Sequence, residues 1–305
     1  MYLEQLAQAL DFQNNYEQKV KEAADHIRSK LTSKPIFGIV LGSGLGDLTN
    51  TITNQIKIPY KDIPNFPVPT VDGHEGVLYI GELEGVSIIG LSGRTHYYEV
   101  ADKPFNTGML QVIFSVHVLA NLGIENYFST NAVGGLNLNY SVGDIMIINS
   151  HINLIPNALL GKERKFLTIN NTKPFRFPPM NGAYDSKLKQ ILIDNAQNNE
   201  HIHLGKYIAV TGPTYETEGE CVAYRDGFKA DAVGMSVTPE VIIARNREMK
   251  VVGISCITNT IDKDGVNAAE HNEVKKILET AEVKDRLSST ITDFFKVYKQ
   301  TENTI

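Results

Sequence analysis

Apolar residues recur at helical spacing through the first thirty positions (Leu6, Leu10, Val20, Ala23, Ala24, Ile27, Leu31), and the pattern predicts two helices broken near Asn14 and Asn15. The next apolar run, 36–41, is short, β-branched and bounded by Pro35 and Gly42, which marks a buried strand. Further strands are predicted over 77–80, 86–91, 125–131, 145–149, 207–211 and 251–257. Helices are predicted over 106–122, closed by Gly123, then over 184–198, 239–247 and from about 268 to 299. A glycine turn at 133–137 ends the 125–131 strand, and the turn at 212–217 leads into a further helix. From 154 to about 182 the periodicity dissolves into Pro, Asn, Lys and Phe, as expected of a long loop. Strands alternating with helices predict an α/β fold: one domain over 1–305, with a mixed, twisted β-sheet flanked by helices and a helical segment over 1–34.

Composition changes this picture in three places. At 305 residues, 42% of them hydrophobic, the chain can bury a sizeable core. A net charge of −6 argues against a non-specific nucleic-acid or anionic-membrane binder, so any anion must be held by a local constellation. The two cysteines, Cys221 and Cys256, make a disulfide framework improbable and are expected as small core residues in a reducing compartment. The amino-terminal residues are neither basic nor apolar enough for a signal peptide, and no apolar run reaches membrane-spanning length. The expectation is a soluble, cytoplasmic protein.

Candidate chemistry begins where the first strand breaks into Gly42-Ser43-Gly44-Leu45-Gly46. Such a loop can turn sharply and expose consecutive N–H groups, a nest suited to phosphate. Asp47 stands where a dinucleotide fingerprint needs its third glycine, and the Gly-Lys-Ser/Thr of a P-loop is absent. The loop alone is equally compatible with a tight turn. Polar groups, however, also follow the other strands: Arg94 with His96, Asn131, Tyr215 with Glu216, and Thr258 with Asn259. In such sheets ligands gather at the carboxyl ends of strands, so these ends are expected to converge on one crevice.

Taken in order, several stretches resemble the trimeric family of purine nucleoside phosphorylases. They are the glycine loop 42–46, 63–67, Gly73-His74, Gly93-Arg94 with His96, Tyr98 and Glu99, 130–137, 143–146, 151–154, 212–217, Gly234-Met235-Ser236, 239–242 and 257–259. The resemblance implies an enzyme of purine salvage that cleaves 6-oxopurine (deoxy)ribonucleosides such as inosine and guanosine with inorganic phosphate. Free base and (deoxy)ribose 1-phosphate are its products, and no cofactor or metal is needed. It implies a phosphate site of Ser43, His74, Arg94, His96, the backbone at Ala132, and Ser236. Tyr98, Met235 and His271 match the ribose site, and Tyr215, Glu216 and Asn259 the base site, with Asn259, Glu216 and His96 as the catalytic set. The chemistry asks for these types. A guanidinium fork matches phosphate oxygens, and a phosphate dianion beneath an oxocarbenium-like transition state both stabilises it and attacks. Glu216 as a carboxylate accepts from N1–H of a 6-oxopurine, whereas adenosine would set a lone pair against it. Asn259 donates to N7, whose basicity rises as the base departs. The resemblance also implies a homotrimer, with purine nucleosides and phosphate as the only other partners.

Two stretches depart from the family pattern. Val133 stands where many relatives have alanine, and 156–177 diverges where relatives lend an aromatic residue to a neighbour's ribose; Phe166, Phe175 and Phe177 are candidates. Glu216 can also be read as a carboxylate placed at a helix N-terminus. His201 and His203 have a spacing that suits a metal, but without an accompanying carboxylate pattern they read as a solvated loop. Xanthosine-accepting members of the family share much of this pocket, and three other functions share part of the pattern. A methylthioadenosine phosphorylase would favour aspartate at Asn259, a nucleoside sensor would have lost Arg94, His96 or Asn259, and a dinucleotide oxidoreductase rests on the glycine loop with Asp62 as the ribose-binding acid.

Overall fold

A computed structural model describes residues 2–42, 45–71, 73–197, 199–267 and 270–302, with the backbone alone for Tyr2, Asp47 and His271. The chain opens with helices α1 (Tyr2–Asn14) and α2 (Tyr16–Arg28), then strands β1 (Phe37–Leu41), β2 (Thr53–Pro59), β3 (Val77–Leu83) and β4 (Val86–Ser92). Helices α3 (Tyr97–Val100), α4 (Thr107–Val112) and α5 (Phe114–Asn121) precede β5 (Asn126–Gly135) and β6 (Ile145–Asn153). After α6 (Ser186–Asn195) come β7 (Ile202–Ala209), α7 (Glu218–Val222), β8 (Ala232–Gly234) and α8 (Thr238–Asn246). Strand β9 (Lys250–Thr260), α9 (His271–Glu279) and α10 (Ala281–Glu302) complete the order.

The strands form one mixed sheet, as the alternation of strands and helices predicts. Parallel β4–β1–β5 lies at its centre, and β2 and β3 extend it antiparallel beyond β4. Beyond β5 the sheet closes on itself: β5 pairs with β9, β9 with β6, β6 with β7, β7 with β8, and β8 returns to β5. This five-stranded ring is not written in any single stretch of sequence, because each of its pairings joins distant segments. Strand β1 is buried at every position, which is why it reads as one apolar run without alternation.

Helices cover both faces. On one, the α2 stripe Tyr16, Val20, Ala23, Ala24 and Ile27 is buried, with Tyr16 edge-on to Phe114 of α5 at 5.8 Å. On the other, Phe294 and Phe295 of α10 meet Phe37 and Phe128 of the central strands, with ring centroids 5.0–6.2 Å apart.

Several predicted elements take a different form. The helix over 106–122 is two, broken at Ile113, whose φ −95° and ψ 0° are not helical. The last helix is likewise broken at Thr280, which is extended (φ −64°, ψ 140°). Strand β2 has only Ile56 and Ile58 as an alternating apolar signal and was not predicted. The predicted turn at 133–137 is still strand as far as Gly135, because the missing side chains admit neighbours: a Cβ on Gly135 would lie 2.9 Å from Ile257 Cγ2. His201 keeps a partly exposed place in the turn before β7, but His203 does not lie in a solvated loop. His203 lies in β7, and both rings bond one carboxylate, Asp144, at 2.9 and 2.8 Å. Among the described residues no three His, Cys, Asp or Glu side chains are placed to hold a metal. Both cysteines are buried core thiols, and burial pushes Cys221 up to about 11 and Cys256 to about 12.

Candidate active site

The strand ends do converge. A cleft of about 410 Å³ is lined by Arg94 and His96 beyond β4, Asn131, Ala132 and Val133 on β5, Tyr215 and Glu216 beyond β7, Met235 and Ser236 beyond β8, and Thr258 and Asn259 on β9. His74 and Tyr98 line it too. Ser43 lies outside the described residues, as does the side chain of His271, whose backbone begins α9. The segment after β1 enters a single 3-10 turn (Asp47–Thr51), and Asp62 sits in another after antiparallel β2. Neither feature belongs to a dinucleotide-binding βαβ unit.

One end of the cleft is built around Arg94. Its guanidinium is buried and donates from Nη1 to Ser236 Oγ at 3.0 Å. Its Nε lies 3.3 Å from Glu240 Oε1, a carboxylate itself 2% exposed, and its Nη2 is buried without a protein hydrogen-bond partner. A buried guanidinium with donors to spare is a site for an oxyanion. Glu240 was missed as a functional residue: within 239–242 it reads as an ordinary helix-start acid, and its contact with Arg94 spans 146 positions. Ser236 is held by a tight turn. Thr238 N–H donates to Ser236 O at 2.8 Å, and Val237 between them takes φ +67°, a left-handed conformation costly for a β-branched residue.

Two histidines flank the arginine. His74 Nδ1 lies 3.0 Å from the Arg94 N–H and 2.9 Å from the Arg94 carbonyl. Burial, with the neighbouring His96 adding to it, lowers His74 to about 4, so the ring is neutral at pH 7. His96 Nδ1 bonds Glu99 Oε1 at 3.0 Å, and the same oxygen accepts the His96 backbone N–H at 2.6 Å. Burial alone would raise Glu99, but hydrogen bonds from His96 and Thr70 outweigh it and bring the carboxyl to about 2. A charged Glu99 holds the proton on Nδ1 and leaves Nε2 of His96 as the free ring atom. Tyr98 stacks on His96 with centroids 5.0 Å apart.

At the other end stand Glu216 and Asn259. Helix α7 is capped by Thr217, which accepts from Glu220 N–H while Glu220 reaches back to Thr217 N–H, so Glu216 is not the capping group. Burial raises the Glu216 carboxyl above its ordinary range. Asn259 Oδ1 lies 3.3 Å from Thr258 Oγ1, and its Nδ2 is turned as a donor toward Asn267 Oδ1. Asn267, in the turn between β9 and α9, lies between Asn259 and Glu216 and was not anticipated.

A buried guanidinium with donors to spare shares this cleft with a carboxylate, an amide and an aromatic ring, a set of groups suited to seating a phosphate-like anion beside a flat, polar heterocycle. A sequence model of the family described as "Phosphorylase superfamily" matches residues 36–290. The chain is 43% identical over 265 residues to purine nucleoside phosphorylase 1 of Bacillus subtilis, covering 86% of this chain and 92% of that one. It is 40% identical over 263 residues to the Bos taurus purine nucleoside phosphorylase, covering 83% and 86%. The crystal structure of Schistosoma mansoni purine nucleoside phosphorylase in complex with inosine superposes with a TM-score of 0.80 at 32% identity, over 92% of this chain and 96% of that one. The chain belongs to the phosphorylase superfamily, among the purine nucleoside phosphorylases.

Proposed function

We infer that the chain catalyses phosphorolysis of purine nucleosides of the 6-oxo type, such as inosine and guanosine and their deoxy forms, to free base and (deoxy)ribose 1-phosphate. The observation that carries this is the single cleft joining the Arg94–Ser236 pair to the Glu216–Asn259 pair. In our assignment Arg94, Ser236, His96, His74, Ser43 and the backbone at Ala132 hold phosphate. Glu240, on the far side of the guanidinium, fixes its plane. Tyr98, Met235 and His271 surround the ribose, and Tyr215 packs on the base. As the glycosidic bond lengthens, positive charge grows on the sugar, where the phosphate dianion stabilises it and then attacks. Negative charge grows on the base, and the Asn259 amide meets it at N7 while Glu216 keeps N1–H bonded. Phosphate is a co-substrate, and no step calls for a metal or organic cofactor.

We further propose that the chain is one domain and works in the cytoplasm as a homotrimer. Among the described residues no helix is long and apolar enough to cross a membrane. Of the three aromatics considered for a neighbour's ribose, Phe166 is turned inward, stacked on His117 at 4.2 Å and beneath Arg247 at 4.6 Å. Phe175 and Phe177 are 67% and 88% exposed, and the proposal narrows to them.

The test is base release from inosine, adenosine, xanthosine and methylthioadenosine, with and without phosphate. Phosphate-dependent hypoxanthine release, with adenosine far slower, is the expected result. A preference for adenosine or its methylthio analogue would overturn the base-site assignment.

A further inference from the structure

Asn267 lies between β9 and α9 and is half-buried. Asn259 Nδ2 donates to its Oδ1 at 2.9 Å, and its Nδ2 donates to Glu216 Oε2 at 3.4 Å. A carboxylate only accepts, so the amide orientation follows from its partners: oxygen toward Asn259, nitrogen toward Glu216. An acceptor toward Asn259 and a donor toward Glu216 is also what a 6-oxopurine offers with N7 and N1–H.

The turn that delivers Asn267 is firmly built. Asp262 Oδ1 accepts the N–H groups of Asp264 and Val266 at 2.9 and 2.8 Å. Arg225 clamps the carbonyls of Asp262 and Lys263, each at 2.8 Å. Gly265 takes φ +90°, and a Cβ there would fall 2.4 Å from the Glu218 carbonyl oxygen, so the turn sits hard against α7, two residues past Glu216. Asn267 is therefore carried to the base site by packing specific to this turn.

We propose that Asn267 is a built-in competitor of the base: in the free enzyme its amide engages the Asn259 donor and the Glu216 acceptor, and a purine must displace it. A 6-oxopurine restores both bonds after the exchange, whereas a 6-aminopurine restores only the one at N7 and leaves Glu216 facing a lone pair. The competitor thus holds the two recognition groups in mutual register while lowering the apparent affinity for every base.

The proposal rests on the base-site assignment above, and the experiment separates the two. Hypoxanthine binding to the full chain is measured by titration calorimetry for wild type, Asn267→Ala, Asn267→Ser and Glu216→Ala, together with kcat/KM for inosine. Both Asn267 variants are expected to bind hypoxanthine about three- to tenfold more tightly, the size of one net hydrogen bond, with kcat/KM rising in parallel. Two variants of different polarity guard against a change in the turn itself. Unchanged or weaker binding in both, with Glu216→Ala still defective, would overturn the proposal and leave Asn267 a positioning residue. Unaltered binding in Glu216→Ala would overturn the base-site assignment and the proposal with it.

Discussion

Burial shifts the titration of both Glu216 and His74, in opposite directions. Burial raises Glu216; its own backbone N–H lowers it, the Glu220 charge raises it and Asn267 lowers it again, leaving it above the ordinary range. Because the carboxylate is the accepting form, kcat/KM for inosine is expected to fall toward acid pH earlier than an ordinary glutamate would dictate. Glu216→Gln should lack that acidic limb and lose roughly a hundredfold in kcat/KM, the worth of a buried charge-assisted hydrogen bond of about 2–3 kcal/mol. A pH–rate profile of both proteins decides it, and an unchanged acidic limb in the variant would sink the assignment. His74 is lowered from 6.5 to about 4, so the unfolded chain takes up its proton first as pH falls. The stability it contributes is fully present above 6.5 and is lost as pH falls through 4, on the order of 3 kcal/mol in all. Denaturant titrations across that window should show a shallower pH dependence for His74→Gln than for wild type.

At the scale of elements, the long excursion over 154–185 contains neither helix nor strand, and a buried arginine anchors its middle, beside the excursion's own bonds to Gln13, Glu17, Asn246 and Glu248. Arg247, at the end of α8 and 2% exposed, donates to Leu167 O at 2.7 Å, to Asn121 Oδ1 at 2.9 Å and to His117 Nδ1 at 2.9 Å, and lies over Phe166. Burial, reinforced by the charge of Arg247, keeps His117 well below its usual range, so a neutral ring accepts that N–H. Arg247→Ala is expected to cost about 2–4 kcal/mol, the loss of three buried hydrogen bonds and a cation–π contact. Limited proteolysis should then cut within 156–182, and an unchanged Tm with no new cleavage would contradict this. The excursion also shows what a sequence can carry. Its lack of period was plain, and so were β1, β4 and β9, whose apolar runs end in Gly42, in Arg94 and in Asn259. The anchor was not legible, since Arg247 and Phe166 are 81 positions apart in the chain. Glu240 and Asn267 escaped for the same reason: each is an ordinary polar residue until the fold brings it to its partner. The second glycine turn was misjudged because Gly134 and Gly135 serve close packing of strands rather than a change of direction.

The molecule as a whole presents apolar surface beside that excursion: Leu154, Leu160, Leu167, Phe175 and Phe177 are each at least 44% exposed. Exposed aromatic and aliphatic side chains of this kind suit an interface, and the proposed trimer would cover them. Light scattering is expected to give three times 33.8 kDa. Phe175→Ser with Phe177→Ser should raise KM for inosine several-fold, or about 1 kcal/mol for lost aromatic contact, more than it lowers kcat. A wild-type monomer with full activity would rule the trimer out.

Strand β5 is bonded to β9 along one edge and to β1 and then β8 along the other, so it cannot slide past its neighbours. Ala132, at the proposed anion end, and Gly134, against the Asn259 amide, are two residues apart on it, a rise of about 7 Å. On the assignment proposed above, the spacing between the phosphate and base contacts is set by the register of β5 against β9, a ruler built into the sheet. Reach, as much as affinity, then sorts what the enzyme transforms. On that assignment, a nucleoside joined through a ring nitrogen other than N9 would set its anomeric carbon at another distance from the Asn259 amide, and could be held at one end and still never be cut.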